Sequence, residues 1–185
     1  KAQRALSDSG PEQLADAIEG ARREAETARR EQEDVEHEMR GLKRGTMDGR
    51  DDDKQANNAQ RARLAREQVE LTESMRRLQE SVRRSVERAG SSEQAISEPL
   101  ASASDTLRNL GVEDELERAQ RNIAQGQGEA GLKPGQARIR SAIESVAQSL
   151  AEAGEAARAA GGSSEAGARR RLEQATRRLS DLRRQ

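Results

Sequence analysis

The sequence predicts an all-α protein: an elongated bundle of about six helices arranged as antiparallel coiled-coil hairpins. Three observations support this fold class. The sparse aliphatic residues recur at spacings of three and four almost from end to end. Good helix formers dominate the chain, and only three prolines interrupt them. The charge is dense but balanced, with 33 basic and 34 acidic residues, which is typical of solvated helices with many i,i+4 ion pairs.

The composition also limits what the chain can do. It has 185 residues without Phe, Tyr, Trp or Cys, and it has a single His. The lack of cysteine excludes a disulfide framework, a thiolate metal site and a cysteine nucleophile. Leu, Ile and Val total only 26 residues, which predicts a thin core, and no run of about 18 apolar residues suits a membrane span. Because the chain starts at Lys1 and still follows a helical pattern near Gln185, we interpret it as a segment of a longer protein.

Residues 11–89 are predicted to form one long antiparallel hairpin, preceded by residues 1–10 as the tail of an upstream helix. Pro11 favours a helix start. A heptad pattern then continues to about Gly45 and is broken only by Gln32. A polar loop over 45–54 separates this helix from a second one, which ends near Ala89. The apolar stripe of the first helix consists of Leu14, Ile18, Ala21, Ala25, Ala28, Val35, Met39 and Leu42.

Folding this hairpin at the loop pairs residues whose numbers add up to about 99. Small residues of the first helix then face large residues of the second, as Ala28 faces Leu71, which permits close helix packing. The acidic run 31–38 is expected to lie beside the arginines within 61–66. The first helix has a net negative charge and the second a net positive one, which favours this register over parallel self-pairing.

Two shorter hairpins are predicted to follow. Residues 91–125 form the first, folded at Gly111, and Pro99 indicates either a helix start near Ser97 or a kink. A Gly-rich linker covers 126–135, and its Gly-x-Gly-x-x-Gly letters indicate flexibility, because no strand precedes them. Residues 136–185 form the last hairpin, turned at 161–164.

Two polar residues interrupt the apolar stripes of the long hairpin. Gln32 and Gln68 fall opposite each other in the predicted register. Polar residues at such positions often specify helix register at some cost in stability. We therefore predict that these two glutamines hydrogen-bond across the hairpin and set its alignment.

The last predicted helix is basic. Between Glu165 and Gln185 seven arginines face only three acidic residues. A contact with anionic lipid, nucleic acid or a protein partner is conceivable for such a strip, although nucleic acid is disfavoured because no aromatic side chain could stack on bases. The candidate contact residues are Arg169, Arg170, Arg171, Arg177 and Arg178.

We predict no catalytic residue, cofactor or metal site. His37 is expected on the solvated outer face of the first helix, and Glu33 alone cannot complete a metal site with it. The aspartates at 48 and 51–53 do not match a calcium-loop pattern and are interpreted as a charged loop. No Ser, Asp or Glu has an evident partner for acid–base or nucleophilic chemistry, and the thin core offers little material for a dry pocket.

The Arg-, Ala-, Glu- and Gln-rich helices, as in residues 64–71 (LAREQVEL) and 168–179 (ARRRLEQATRRL), resemble the coiled-coil extracytoplasmic region of large uncharacterised bacterial envelope proteins. The resemblance covers most of the chain and is one of composition. It implies that the chain lies in the bacterial envelope, outside the cytoplasm, and it carries over no functional residues.

The first hypothesis is a non-catalytic structural or protein-interaction module, serving as a spacer, scaffold or docking surface within a larger protein. Its partner would be another protein or the rest of its own chain, and self-association is possible. The alternatives are an Arg-rich binder of anionic lipid or nucleic acid, and a polyampholyte that folds only on its partner.

Overall fold

A computed structural model describes residues 10–42, 51–90 and 94–182, and confirms that the regular structure within these ranges is all helical. The expectations for residues 1–9, 43–50, 91–93 and 183–185 lie outside the described residues. The predicted loop 45–54 is wrong for residues 51–54, which are helical. Five helices occupy the described part of the chain. They are α1 (Gly10–Arg40), α2 (Asp51–Ala89), α3 (Gln94–Leu110), α4 (Val112–Ala124) and α5 (Glu129–Leu182).

The helices form an elongated bundle with four corners. α1 packs against α2 and α5, while α3 and α4 share the opposite corner and also pack against α2 and α5. Glu38 near the end of α1 accepts a hydrogen bond from Gln60, whereas Glu24 pairs with Arg77 much farther along α2. The two helices therefore run in opposite directions, as successive helices joined by a short connection do.

The core consists of the apolar stripes that the sequence pattern indicates. Every apolar member of the α1 stripe is buried, from Leu14 to Leu42, and the α2 stripe is buried from Leu64 to Ala89. α5 contributes a buried stripe from Ile139 to Ala157, with Ala160 partly buried against the same core. Alanine and leucine account for much of this core, so the helices can approach closely despite the small aliphatic supply.

Glycines with positive φ follow the ends of three helices, and Gly90, with φ 45°, is the one after α2. Gly111 lies between α3 and α4 with φ 57°, and Gly126 follows α4 with φ 76°. A residue with a Cβ is strained in this left-handed region, so glycine suits all three positions. The chain bends at Gly111 and reverses near Gly126, which brings α5 back along the bundle.

The predicted turn at 161–164 is wrong, because α5 continues as one helix through these residues to Leu182. Gly161 and Gly162 have no positive φ, and a Cβ built on either would meet nothing within 4 Å. Glycine in a helix costs only about 1 kcal/mol relative to alanine, and the preceding alanine-rich turns support continuation. Five helices are therefore found in the described residues, where six were expected.

Two other boundaries differ from the expectation. α5 already begins at Glu129 within the predicted 126–135 linker, and Pro134 lies in its second turn, where its missing N–H removes one i→i−4 hydrogen bond. Pro99 lies inside α3, which starts at Gln94, so of the two alternatives the helix start near Ser97 is not found. α3 and α4 make most of their contacts with α2 and α5 and few with each other, since their leucines cover those two helices.

Candidate functional site

Three glutamines lie in the interior of the bundle at one level. Gln32 of α1, Gln68 of α2 and Gln136 of α5 are 1%, 0% and 2% exposed. Each continues the apolar stripe of its helix, so the helical period that buries its neighbours also buries its amide group. We call these three residues the glutamine layer.

Gln136 links the other two members of the layer. Its Nε2 donates to Gln68 Oε1 at 2.8 Å, across the diagonal between α5 and α2. Gln32 Nε2 donates to the backbone carbonyl of Gln136 at 3.3 Å, which ties α1 to α5. The expected pair Gln32 and Gln68 is thus brought together through a third residue, which the sequence pattern did not single out.

A partly buried carboxylate supports the layer from the α1–α5 side. Glu36 Oε1 accepts from Gln32 Nε2 at 3.3 Å, and Glu36 Oε2 lies 3.0 Å from Arg140 Nη1. One side chain therefore connects the buried amide with an ion pair between two helices. Charged groups strengthen the hydrogen bonds that they accept, so Glu36 orients the amide of Gln32.

A second polar feature lies along the contact between α1 and α2. Two glutamates with raised pKa values lie there beside three further carboxylates whose negative charge contributes to the increase; we call the five the carboxylate seam. The members are Glu31, Asp34 and Glu38 of α1 and Glu67 and Glu70 of α2. Like charges at such spacing repel, so this seam weakens the α1–α2 pair at neutral pH.

Burial and like charge act in the same direction on two members of the seam. Desolvation raises the pKa of Glu31, as do Glu70 and Asp34, while a hydrogen bond from Ser74 and the charge of Arg77 lower it. The pKa of Glu67 is also raised, first by desolvation and then by Glu70. Both groups are therefore easier to protonate than an ordinary glutamate.

Arg77 is the main cation at the end of this seam. Its Nε lies 3.4 Å from Glu24 of α1, its Nη1 lies 3.5 Å from Glu73, and its Nη2 donates to the Ser74 hydroxyl at 2.6 Å. Since Ser74 is fully buried, this contact holds the guanidinium against the helix pair. Each ion pair is partly exposed and is worth about 1 kcal/mol at most.

The expected partners of the acidic run are only partly present. Arg63 lines an open concavity with His37 and Glu38, whereas Arg66 is exposed and Arg61 bonds Asn57 of its own helix. Burial of Leu64, Gln68 and Leu71 determines which residues of α2 border α1. These bordering residues include glutamates as well as arginines. The net charge of each whole helix did not show this mixture.

Glu115 of α4 is a further buried polar residue that the sequence pattern did not single out. Its carboxylate lies 2.8 Å from Arg118 of the same helix and 3.0 Å from Arg138 of α5. Glu115 is 8% exposed, whereas both arginines are largely in solvent. The contact with Arg138 attaches the short helix α4 to α5. The signal in the sequence was an acidic residue beside an apolar stripe.

The arginine strip cannot be described at the level of side chains. Arg169, Arg170, Arg171, Arg177 and Arg178 lie in the helical backbone of α5, and their side chains are outside the described residues. His37 is exposed, as expected. In the ranges that the structure describes, no group of three or more His, Asp or Glu residues could hold a metal ion, and none of the helices has the length and apolarity needed to cross a membrane.

No protein-family model, curated protein or solved structure matches this chain.

Proposed function

We propose that this chain is a non-catalytic helical scaffold that presents an extended arm to a protein partner. The arm is the part of α5 from residue 163 to residue 182. Ala160 is the last described residue of α5 that packs against the core. The helix continues from there without a break to Leu182. This continuation is the observation that carries the proposal.

The arm reaches past the described start of α1. A Cβ built on Gly154 would lie 3.5 Å from Ile18 Cγ2, which sets the level of α5 against α1. Since the two helices run in opposite directions, Gly10 comes level with about residue 162 of α5. At 1.5 Å per residue, residues 163–182 add about 30 Å of helix beyond that level.

The sequence of the arm suits helix pairing. Leu172 and Leu179 occupy equivalent positions two turns apart, and alanines at 168 and 175 alternate with them. Such a stripe favours a coiled-coil contact with a helix of a partner, a second copy or another part of the parent chain. Two concavities on the described bundle are open and lined by charged and small side chains, which suits a surface for contacts more than a pocket for a small substrate.

Truncation tests this function. The chain 1–162 is expected to keep the cooperative thermal unfolding of chain 1–185 with nearly the same midpoint, because it retains every described core residue of α5, up to Ala160. Only the chain 1–185 should associate as its concentration rises in sedimentation experiments. Loss of folding in 1–162 would show that the arm belongs to the core, and monomeric behaviour of both chains at high concentration would contradict self-association.

A contact with an anionic surface is the second candidate, and the arginine strip supports it. Arg170 and Arg177 occupy equivalent positions two turns apart, as do Arg171 and Arg178, so cations repeat along the arm. Vesicles of phosphatidylglycerol should then bind chain 1–185 at low salt and release it at high salt. Replacing these four arginines by glutamine should abolish binding, and chain 1–162 serves as the matched control.

The compositional resemblance supports a third, coarser proposal, that the parent protein lies in a bacterial envelope. Fractionation of cells that express the parent protein tests it. Recovery in the cytoplasmic fraction would contradict this location, while the scaffold proposal would stand.

A further inference from the structure

The glutamine layer has an incomplete set of hydrogen bonds. Among its side-chain atoms, Gln32 Oε1, Gln136 Oε1 and Gln68 Nε2 are buried without a partner. The remaining amide atoms are used, because Gln136 Nε2 bonds Gln68 Oε1 and Gln32 Nε2 bonds both the Gln136 carbonyl and Glu36. Two acceptors and one donor are therefore left at one level of the core.

Leaving these atoms unpaired would destabilise the fold. A buried polar group without a hydrogen bond costs about 1–3 kcal/mol, and native proteins satisfy nearly all such groups. Rotating only the amide of Gln68 does not help, since its nitrogen would then face the nitrogen of Gln136 in place of the present 2.8 Å hydrogen bond. Rotating the amides of Gln68 and Gln136 together reverses this bond and exchanges the free acceptor of Gln136 for a donor and the free donor of Gln68 for an acceptor, so the layer still holds two acceptors and one donor group outside this bond.

The chemistry of the three atoms selects the ligand. A metal cation would suit the two amide oxygens, but it would be repelled by the N–H of Gln68. An anion would suit that N–H, but it would be repelled by the two oxygens. A neutral molecule that donates twice and accepts at least once fits all three atoms, and water is the smallest such molecule.

A buried water needs about two to four polar partners. The three unpaired amide atoms of the glutamine layer, one on each of α1, α2 and α5, supply them. The cavity lined by Ala119 and Gly135 lies between α4 and α5, and no glutamine of the layer lines it, so it is separate from this site.

We propose that the glutamine layer is a binding site for one buried water molecule. The water donates its two hydrogens to Gln32 Oε1 and Gln136 Oε1 and accepts a hydrogen bond from Gln68 Nε2. It gives each of the three unpaired atoms a hydrogen-bond partner within a polar network that spans α1, α2 and α5. This inference does not depend on the scaffold function.

A crystal structure of the chain 1–185 at a resolution that shows ordered water tests the proposal. We expect one density peak at about 2.7–3.2 Å from each of the three atoms. Direct pairing of the three amides with no peak between them would overturn the proposal. So would a peak with the shorter distances and higher coordination of a metal ion.

Nuclear magnetic resonance of protein labelled with ¹⁵N glutamine provides a second test in solution. The Nε2 protons of Gln68 should show rotating-frame cross-relaxation with water. The sign of this signal distinguishes a bound water from chemical exchange. The exposed side chain of Gln148, which bonds Glu152 in its own helix, is the matched control and should show exchange only. Absence of the Gln68 signal in folded protein would contradict a resident water.

Discussion

Replacing Ala25 by leucine tests whether small residues on α1 allow the close packing of the bundle. Ala25 is fully buried in the α1 face that borders α2 and α5, and its neighbour Glu24 pairs with Arg77 across the α1–α2 contact. An isobutyl group in place of a methyl group at this position must displace a neighbouring helix or adopt a strained rotamer.

The expected loss for Ala25→Leu follows from this overpacking. Extra methylene groups in a well-packed core cost about 1–3 kcal/mol. For a chain of this length, each kcal/mol shifts the unfolding temperature by about 2–4 °C. Leucine and alanine have similar helix propensities, so the loss should come from packing and not from the helix itself.

Urea unfolding followed by circular dichroism measures this free energy of unfolding. The matched control is Ala101→Leu, because Ala101 is an exposed residue of α3 and the same substitution should change stability by less than about 0.5 kcal/mol there. If Ala25→Leu is as well tolerated as the control, close approach of α1 does not depend on its alanines, and the packing argument fails.

Two further predictions concern the long helix and the carboxylate seam. Gly161→Ala should stabilise the chain by up to about 1 kcal/mol in urea unfolding because α5 is continuous, whereas Gly111→Ala, at φ 57°, should destabilise it by about 1–2 kcal/mol. Because the pKa of Glu31 is raised above 4.5 in the folded chain, Glu31→Gln should be more stable than the parent at pH 7 in thermal unfolding. This advantage should shrink as the pH falls through the folded pKa towards 4.5, since protonation then removes the unfavourable charge from Glu31 itself.

Clear outcomes would refute each of these two predictions. A destabilised Gly161→Ala chain would indicate that the helix turns at this point after all. An advantage of Glu31→Gln that stays constant between neutral and mildly acidic pH would show that ionisation of Glu31 is not its source. Glu33→Gln is the matched control, because Glu33 is exposed on the same helix.

The sequence pattern predicted the local part of this fold well. Spacings of three and four identified the buried stripes of α1 to α5, and even the polar stripe members Gln32 and Gln68 are buried where the pattern placed them. This works because helix periodicity is a local property, and because a residue on the apolar stripe is buried whichever helix covers it.

The pattern failed where long-range packing or a small energy difference decides. α5 packs against α1 together with α2. This packing brings Gln136 into the glutamine layer, although the residues before it in the sequence look like a linker. Gly161 and Gly162 looked like a turn, but each costs a helix only about 1 kcal/mol. Heptad stripes from different helices are too alike to show which of them pair.

The continuity of α5 also has a mechanical consequence. One continuous helix is packed between α1 and α3 in its first part and carries the proposed arm in its last part, so it acts as a lever. Over the roughly 30 Å of the proposed arm, a tilt of about 10° at the core moves the tip by about 5 Å. A force on the tip is transmitted to the packed alanines and leucines of the core. Conversely, a small shift in the packing of the core produces a larger displacement of the tip.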